Sequence, residues 1–116
     1  MATTKLSVRE YLTDRGVSPV REWLTRLDVT ARARIQARVL RFEAGNLGDH
    51  RSVGGGVWEA RCDFGPGYRI YFGKAGPALV LLLLGGDKST QRADIQRSRE
   101  YWADYVEVMK RGKTKR

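Results

Sequence analysis

Gly56-Val57-Trp58-Glu59-Ala60-Arg61-Cys62-Asp63-Phe64-Gly65-Pro66-Gly67-Tyr68-Arg69-Ile70-Tyr71-Phe72 is the stretch whose reading decides the fold. Two alternating, aromatic-rich runs flank the turn signal Gly65-Pro66-Gly67. They read as an antiparallel hairpin, with one strand from Trp58 to Phe64 and a return strand from Tyr68 to Gly73. Successive side chains of a strand point to opposite faces. Trp58, Ala60, Cys62 and Phe64 therefore share an apolar face with Tyr68, Ile70 and Phe72. Glu59, Arg61 and Asp63 share a polar face with Arg69 and Tyr71. The polar face is either a solvated surface with cross-strand ion pairs or a concave, positively charged patch that grips phosphates. Arginine suits the second task because its planar fork matches phosphate oxygens two at a time.

Downstream of the hairpin, Lys74-Ala75-Gly76-Pro77 turns the chain again. The run Ala78 to Leu84 is apolar on both faces, which predicts an interior strand covered on both sides. Gly85-Gly86-Asp87-Lys88-Ser89-Thr90 then leads into a final helix with the stripe Ile95, Trp102, Val106 and Met109. Upstream, Leu47 to Gly56 reads as a loop. Before it, Asp28 or Thr30 caps a helix with the stripe Ala31, Ile35, Val39 and Phe42, stopped by Gly45-Asn46. Ser18-Pro19 opens an earlier helix, with Val20, Trp23, Leu24 and Leu27 at helical spacing. Lys5 to Leu12 alternates as a half-buried strand, with Leu6, Val8 and Leu12 on its apolar side. The order is β-α-α-β-β-β-α. It predicts an α+β fold, a small antiparallel sheet with helices packed on it, in a single domain over 1–116. Residues 110–116 hold five basic residues in seven and read as a disordered tail.

A chain of 116 residues can bury one core without staples. Its 22 Lys and Arg against 13 Asp and Glu give +9, which predicts anionic partners, nucleic acid first. One cysteine and one histidine exclude an intrachain disulfide and any site needing two histidines. Met1-Ala2-Thr3-Thr4-Lys5 has no apolar leader region, and the longest apolar run is seven residues. A membrane span needs about twenty. The expectation is a cytoplasmic protein with no membrane contact, no cofactor and no metal.

Few residues offer other chemistry. Strand, Gly-Gly-Asp-Lys-Ser-Thr, helix resembles a nucleotide loop, but Asp87 stands where a P-loop needs Gly before Lys88. His50 is a lone loop histidine, and Cys62 falls on the buried face. Arg34, Arg38 and Arg41 share one flank of their helix. That ridge is either a solvated face or a contact for RNA or an antagonist protein.

With Pro19-Val20-Arg21-Glu22-Trp23-Leu24, Glu43-Ala44-Gly45-Asn46-Leu47-Gly48-Asp49, Gly85-Gly86-Asp87-Lys88-Ser89 and Gln91…Asp94-Ile95, the hairpin resembles the HigB-like, phage-derived addiction-module branch of the RelE/ParE toxin superfamily. The resemblance spans about residues 5 to 105. It implies a RelE-like toxin fold and a type II toxin, neutralised by a cognate antitoxin. Many relatives cleave mRNA on the ribosome without metal, a ribose 2′-OH attacking the adjacent phosphate. One branch instead inhibits DNA gyrase, a protein target, on the same fold. Carried over by position, Arg61 and Arg69 lie where RNA-cleaving relatives hold phosphate. Tyr71 lies near where relatives use an aromatic to stack on a base or donate a proton, and Lys88 is carried over as a catalytic or phosphate-binding lysine, although the lysines of relatives sit at different places. The histidines that some HigB relatives use near the site have no counterpart in the last helix here. Glu59 is a base by residue type, or it orients Arg61. The antitoxin is expected to land either on the sheet face with Arg61 and Arg69 or on the helical side with Arg34, Arg38 and Arg41, the latter favoured because its ridge has no catalytic role of its own.

Overall fold

The computed structural model describes residues 5–114. Its strands are β1 (Ser7–Glu10), β2 (His50–Gly54), β3 (Val57–Cys62), β4 (Tyr68–Ala75) and β5 (Leu79–Gly86). Its helices are α1 (Pro19–Arg26), α2 (Val29–Glu43) and α3 (Gln91–Thr114), with a short 3-10 turn at Lys88–Thr90 leading into α3. The five strands lie in the order β1-β5-β4-β3-β2. The fold is α+β, as the sequence predicts. The sheet is mixed, because β1 pairs parallel to β5 while β2 to β5 form an antiparallel meander. Alternation in β1 reports which of its faces is buried, not the direction of its neighbour. The direction follows from the two-helix crossover between β1 and the meander.

The sequence reading also misses a strand. His50–Gly54, expected as loop, is the edge strand β2, hydrogen-bonded to β3. Val53 is its one aliphatic residue packed against the core, and the His50 ring lies against Trp58 and Phe72. An edge strand with one apolar anchor, followed by Gly54-Gly55-Gly56, carries almost no alternation to detect.

Both faces of the sheet are covered. Val20, Trp23 and Leu24 of α1 and Ile35 and Phe42 of α2 meet Ala60, Cys62, Ile70, Phe72, Val80 and Leu82 on one face. Ile95, Tyr101, Trp102 and Tyr105 of α3 meet Val57, Tyr71, Leu81, Leu83 and Leu84 on the other. A register shift between Tyr71 and Phe72 opposite β5 lets both Leu83 and Leu84 reach the α3 side. The expected helix starts are in place. Ser18 accepts from the Arg21 amide, Pro19 occupies the first turn, and Asp28 caps α2 by accepting from the Ala31 amide at 2.7 Å. The Ser18 hydroxyl also donates to Glu10, which ion-pairs with Arg21, tying α1 to β1.

Three expectations are corrected. Leu12 is 56% exposed and Tyr11 is buried against α3 instead, because β1 ends at Glu10. The inward stripe of α3 runs through the half-buried Ile95, Tyr101, Trp102 and Tyr105 and the buried Ser98, leaving Val106 and Met109 exposed. The helix outruns the sheet, so its later apolar positions have little to cover. It also continues through Thr114, so residues 110–114 prolong a helix where a frayed tail is expected. Residues 115 and 116 lie outside the described part.

Two tryptophans set the distance of helix from sheet. A Cβ at Gly85 of β5 would lie 2.1 Å from the Trp23 ring, and one at Gly73 of β4 would lie 2.2 Å from the Trp102 ring. Gly85→Ala and Gly73→Ala must therefore push a ring off the sheet. Overpacking of this kind costs about 1–3 kcal/mol or more. Gly76→Ala, at a turn with open space around it, should cost only the left-handed backbone strain of about 1 kcal/mol. Urea midpoints should rank the first two below the third.

Candidate functional site

The sheet lays the polar residues out in two rows on the face that α3 covers. Arg51, Glu59, Tyr71 and Leu84 are successive partners across β2, β3, β4 and β5. Two residues further along, Arg61 on β3 is paired with Arg69 on β4, and Arg69 with Gly86 on β5. The Arg61 amide donates to the Asp49 carbonyl at 3.1 Å, extending this row to the segment before β2.

The first row is not the exposed surface that alternation suggests. Glu59 and Tyr71 have 0% of their surface exposed and Arg69 has 8%. Glu59 is saturated. Its Oε1 accepts from Arg51 Nε at 3.0 Å, and its Oε2 accepts from Tyr71 Oη at 3.1 Å and Gln91 Nε2 at 2.8 Å. Arg69 Nε lies 3.4 Å from the same Oε2 in ion-pair contact. A buried carboxylate is tolerable only with such partners. Arg69 is fixed from its other side as well, because its Nη1 donates to the Gly67 carbonyl at 2.7 Å. Glu59 therefore positions Arg51 and Arg69, not Arg61 as the sequence suggests. Burial pushes the Tyr71 hydroxyl far above its ordinary value, and the Glu59 charge and hydrogen bond push it further. A phenol held that way is a poor proton donor to a substrate. Sequence reasoning missed Arg51 and Gln91. Arg51 becomes visible only once β2 is recognised, and Gln91 only once α3 is laid over the sheet.

Lys88 is exposed and opens the 3-10 turn after β5. It joins Arg69 at the β3–β4 turn: a Cβ at Gly67 would lie 3.2 Å from Arg69 Nη1 and 3.5 Å from Lys88 Cβ. Among the described residues its ammonium has no ion-pair partner. The turn itself is tied by Asp87, which accepts from the Ser89 amide at 2.8 Å. The Ser89 hydroxyl holds the Asp87 carboxyl below its usual range. Burial pushes Asp94, which accepts from Thr90 at 2.6 Å, the other way. Beside this turn an open groove of about 930 Å³ runs along the start of α3, lined by Arg51, Arg92 and Arg99 and by no carboxylate.

Arg61 parts company with Arg69. Its guanidinium turns to Asp49, 3.2 Å away, and lines a cleft of about 360 Å³ with Arg34, Arg38 and Arg41 of α2. The two basic features that the sequence separates, hairpin face and helix ridge, thus meet through Arg61. His50 lies against Trp58 and Phe72, its Nδ1 2.8 Å from the Gly48 carbonyl. Cys62 is buried, and burial raises its thiol. Among the described residues no three His, Cys, Asp or Glu side chains gather as a metal site.

Two consequences are measurable. Glu59→Gln removes the counter-charge of a buried guanidinium, which should cost about 3–5 kcal/mol in urea unfolding. Tyr11 and Tyr71 both hold their protons well above the ordinary range, chiefly by burial and then by the carboxylates they donate to. In the unfolded chain they ionise near pH 10. The folded state then binds more protons, so stability is intact below about pH 10 and falls as pH rises above it. Tyr71→Phe should flatten that alkaline fall; an unchanged slope contradicts the assignment.

No family model matches the chain. An uncharacterized protein of Haemophilus influenzae Rd is 47% identical to it over 78 residues, covering 66% of this chain and 79% of that protein. Identity of that degree over most of the relative's length is more than a shared fold requires, and the chain belongs to the same family as this Haemophilus influenzae protein.

Proposed function

We propose that this chain is the toxin of a type II toxin–antitoxin pair and acts as a metal-independent, ribosome-dependent mRNA endonuclease. The observation that supports the reading best is the cation cluster at one end of the sheet. Arg69 is locked by Glu59 and the Gly67 carbonyl, Lys88 follows beside it with no ion-pair partner among the described residues, and Arg61 lies opposite in backbone register with its guanidinium turned to Asp49. The sequence resemblance to HigB-like and RelE-like toxins supplies the reaction class. The order of strand, two helices, meander and final helix agrees with a RelE-like fold.

In this reaction the 2′-oxygen forms a bond to the neighbouring phosphorus and the bond to the 5′-oxygen breaks. Arg69 stabilises the charge that builds on the phosphoryl oxygens, while the Arg61 guanidinium, turned to Asp49, faces the neighbouring cleft. Water takes the 2′-OH proton, and the Lys88 ammonium gives one to the leaving 5′-oxygen, leaving a 2′,3′-cyclic phosphate and a free 5′-hydroxyl. Glu59 and Tyr71 are positioning residues, since both are buried and engaged with each other. With no histidine at the cluster the catalyst is modest, and alignment of the RNA by the ribosome supplies much of the rate. The partner of such a toxin is a cognate antitoxin. Against +9 it is an acidic one, whose segments fold over basic surfaces, those of Arg34, Arg38 and Arg41 included.

The test is induction in cells that lack the antitoxin, with mapping of mRNA 5′ ends. In-frame cuts are expected. Lys88→Ala should lower cutting by about 100-fold with an unchanged urea midpoint, since Lys88 is exposed. Growth arrest with intact mRNA overturns the reading, and a loss of DNA supercoiling in those cells points to a topoisomerase such as DNA gyrase.

A further inference from the structure

We propose that the cleft between α2 and the end of β3 is a nucleotide subsite for single-stranded RNA, next to the scissile position. Arg41 and Arg61 hold a phosphate there, and the stacked pair Arg34–Phe64 holds a base. The inference rests on the RNA-cleaving reading and names where the strand continues beyond Arg69 and Lys88.

The cleft is built, not incidental. Four arginines line it against two carboxylates, Asp49 and Asp63. Burial keeps the Cys62 thiol at its edge protonated, so it adds no negative charge. Arg61 is held by Asp49 at 3.2 Å. Asp49 is in turn held by Arg38, whose Nη2 donates to the Leu47 carbonyl at 3.1 Å and the Asp49 carbonyl at 3.0 Å. Arg38 can reach there only because position 48 is glycine. The backbone is left-handed at φ +64°, and a Cβ would lie 2.5 Å from the guanidinium. Arg38 is thus a positioning residue whose anchoring fixes Arg61. Arg34 lies 4.2 Å from the centre of the Phe64 ring.

Two observations favour RNA over an acidic peptide. A peptide carboxylate would use the charge and leave the Arg34–Phe64 stack idle, whereas a nucleotide uses both, because bases stack on aromatic rings and guanidinium planes. Arg61 is also the register partner of Arg69, which puts the two Cα atoms about 4.5–5.5 Å apart. One strand can therefore pass from Lys88 and Arg69 directly into the cleft.

The experiment measures binding of a fluorescent single-stranded oligoribonucleotide, made 2′-deoxy at one position to prevent cutting there. Arg34→Ala with Arg41→Ala should weaken binding about tenfold or more. It should also reduce the slope of log affinity against log salt by about 0.7 for each phosphate that is no longer neutralised. Arg34→Lys should restore the charge without the stacking, so the slope recovers and the affinity does not. Arg15→Ala with Arg26→Ala removes the same charge elsewhere and should change affinity less than about twofold if the cleft is specific. Equal losses in the two pairs, or no RNA binding by the parent chain, overturn the proposal. So does a cleft variant that loses only a glutamate-rich peptide, which makes the cleft a protein interface. RNA affinity lost in the cleft variant while parental mRNA stays uncut leaves the subsite standing and removes the cleavage reading. Mapped cuts with unchanged affinity and KM in the cleft variant do the reverse.

Discussion

Glu59 carries a carboxylate with no exposed surface, and the arrangement of the polar residues follows from satisfying it. Four side chains from three other elements converge on its two oxygens: Arg51 from β2, Arg69 and Tyr71 from β4, and Gln91 from the first turn of α3. Without its arginines the carboxylate would be stranded in a low-dielectric layer, at a cost of about 3–5 kcal/mol, and without Tyr71 or Gln91 it would lose a hydrogen bond to a charged group, about 1.5–3 kcal/mol. The carboxylate therefore fixes more than chemistry. It specifies where the edge strand β2 joins and where α3 begins, and it holds Arg69 in one place before any ligand arrives. Preorganised charge of that kind is what phosphoryl transfer asks of a protein.

Much of this was legible in the sequence, for identifiable reasons. The hairpin declared itself because Gly65-Pro66-Gly67 separates two alternating runs, and α1 and α2 because their caps and stripes agree. The interior position of β5 followed from a run apolar on both faces. What escaped detection had no local signature. β2 is short and mostly polar, with Val53 its one aliphatic anchor. Burial of the hairpin's polar face was invisible because alternation assigns residues to faces without saying what covers them. Only α3, through Gln91, Ile95 and Trp102, turns that face into an interior. The candidate site suffered the same way. Arg61, Arg69 and Lys88 were nameable as cations, but the sequence could not reveal that Glu59 serves Arg69 while Asp49 takes Arg61.

The two layers of helix are held to the sheet by different means on its two faces. On the α1 and α2 side the core contact is apolar, with Trp23 against Gly85, and the polar tie of Ser18 and Arg21 to Glu10 sits at its β1 edge. On the α3 side Trp102 does the same at Gly73, but only towards the middle of the helix. Near its start, polar contacts take over: Gln91 reaches Glu59, and Asp94 approaches the bare backbone of Gly86. An apolar lock and a polar end on one helix place the buried charge network beside the open groove, where solvent and a ligand can reach its outer arginines.

A chain with nine more cations than anions must place its guanidiniums without enough carboxylates to match them. Here it uses backbone carbonyls. Arg32 donates to the Leu24 and Leu27 carbonyls at the end of α1, where helix carbonyls lack partners. Arg38 takes those of Leu47 and Asp49, Arg69 that of Gly67, and Arg99 that of Val53. Each bond converts a surplus charge into a strut for a turn or an edge. The charge itself is not cancelled, because a carbonyl carries only a dipole. The surface thus stays strongly positive while its arginines are held still, a combination that ion pairing alone would not give. Positive charge lines the groove along the start of α3, at Arg51, Arg92 and Arg99, and the cleft of Arg34, Arg38, Arg41 and Arg61, and cations already held still lose little freedom when an anionic ligand binds.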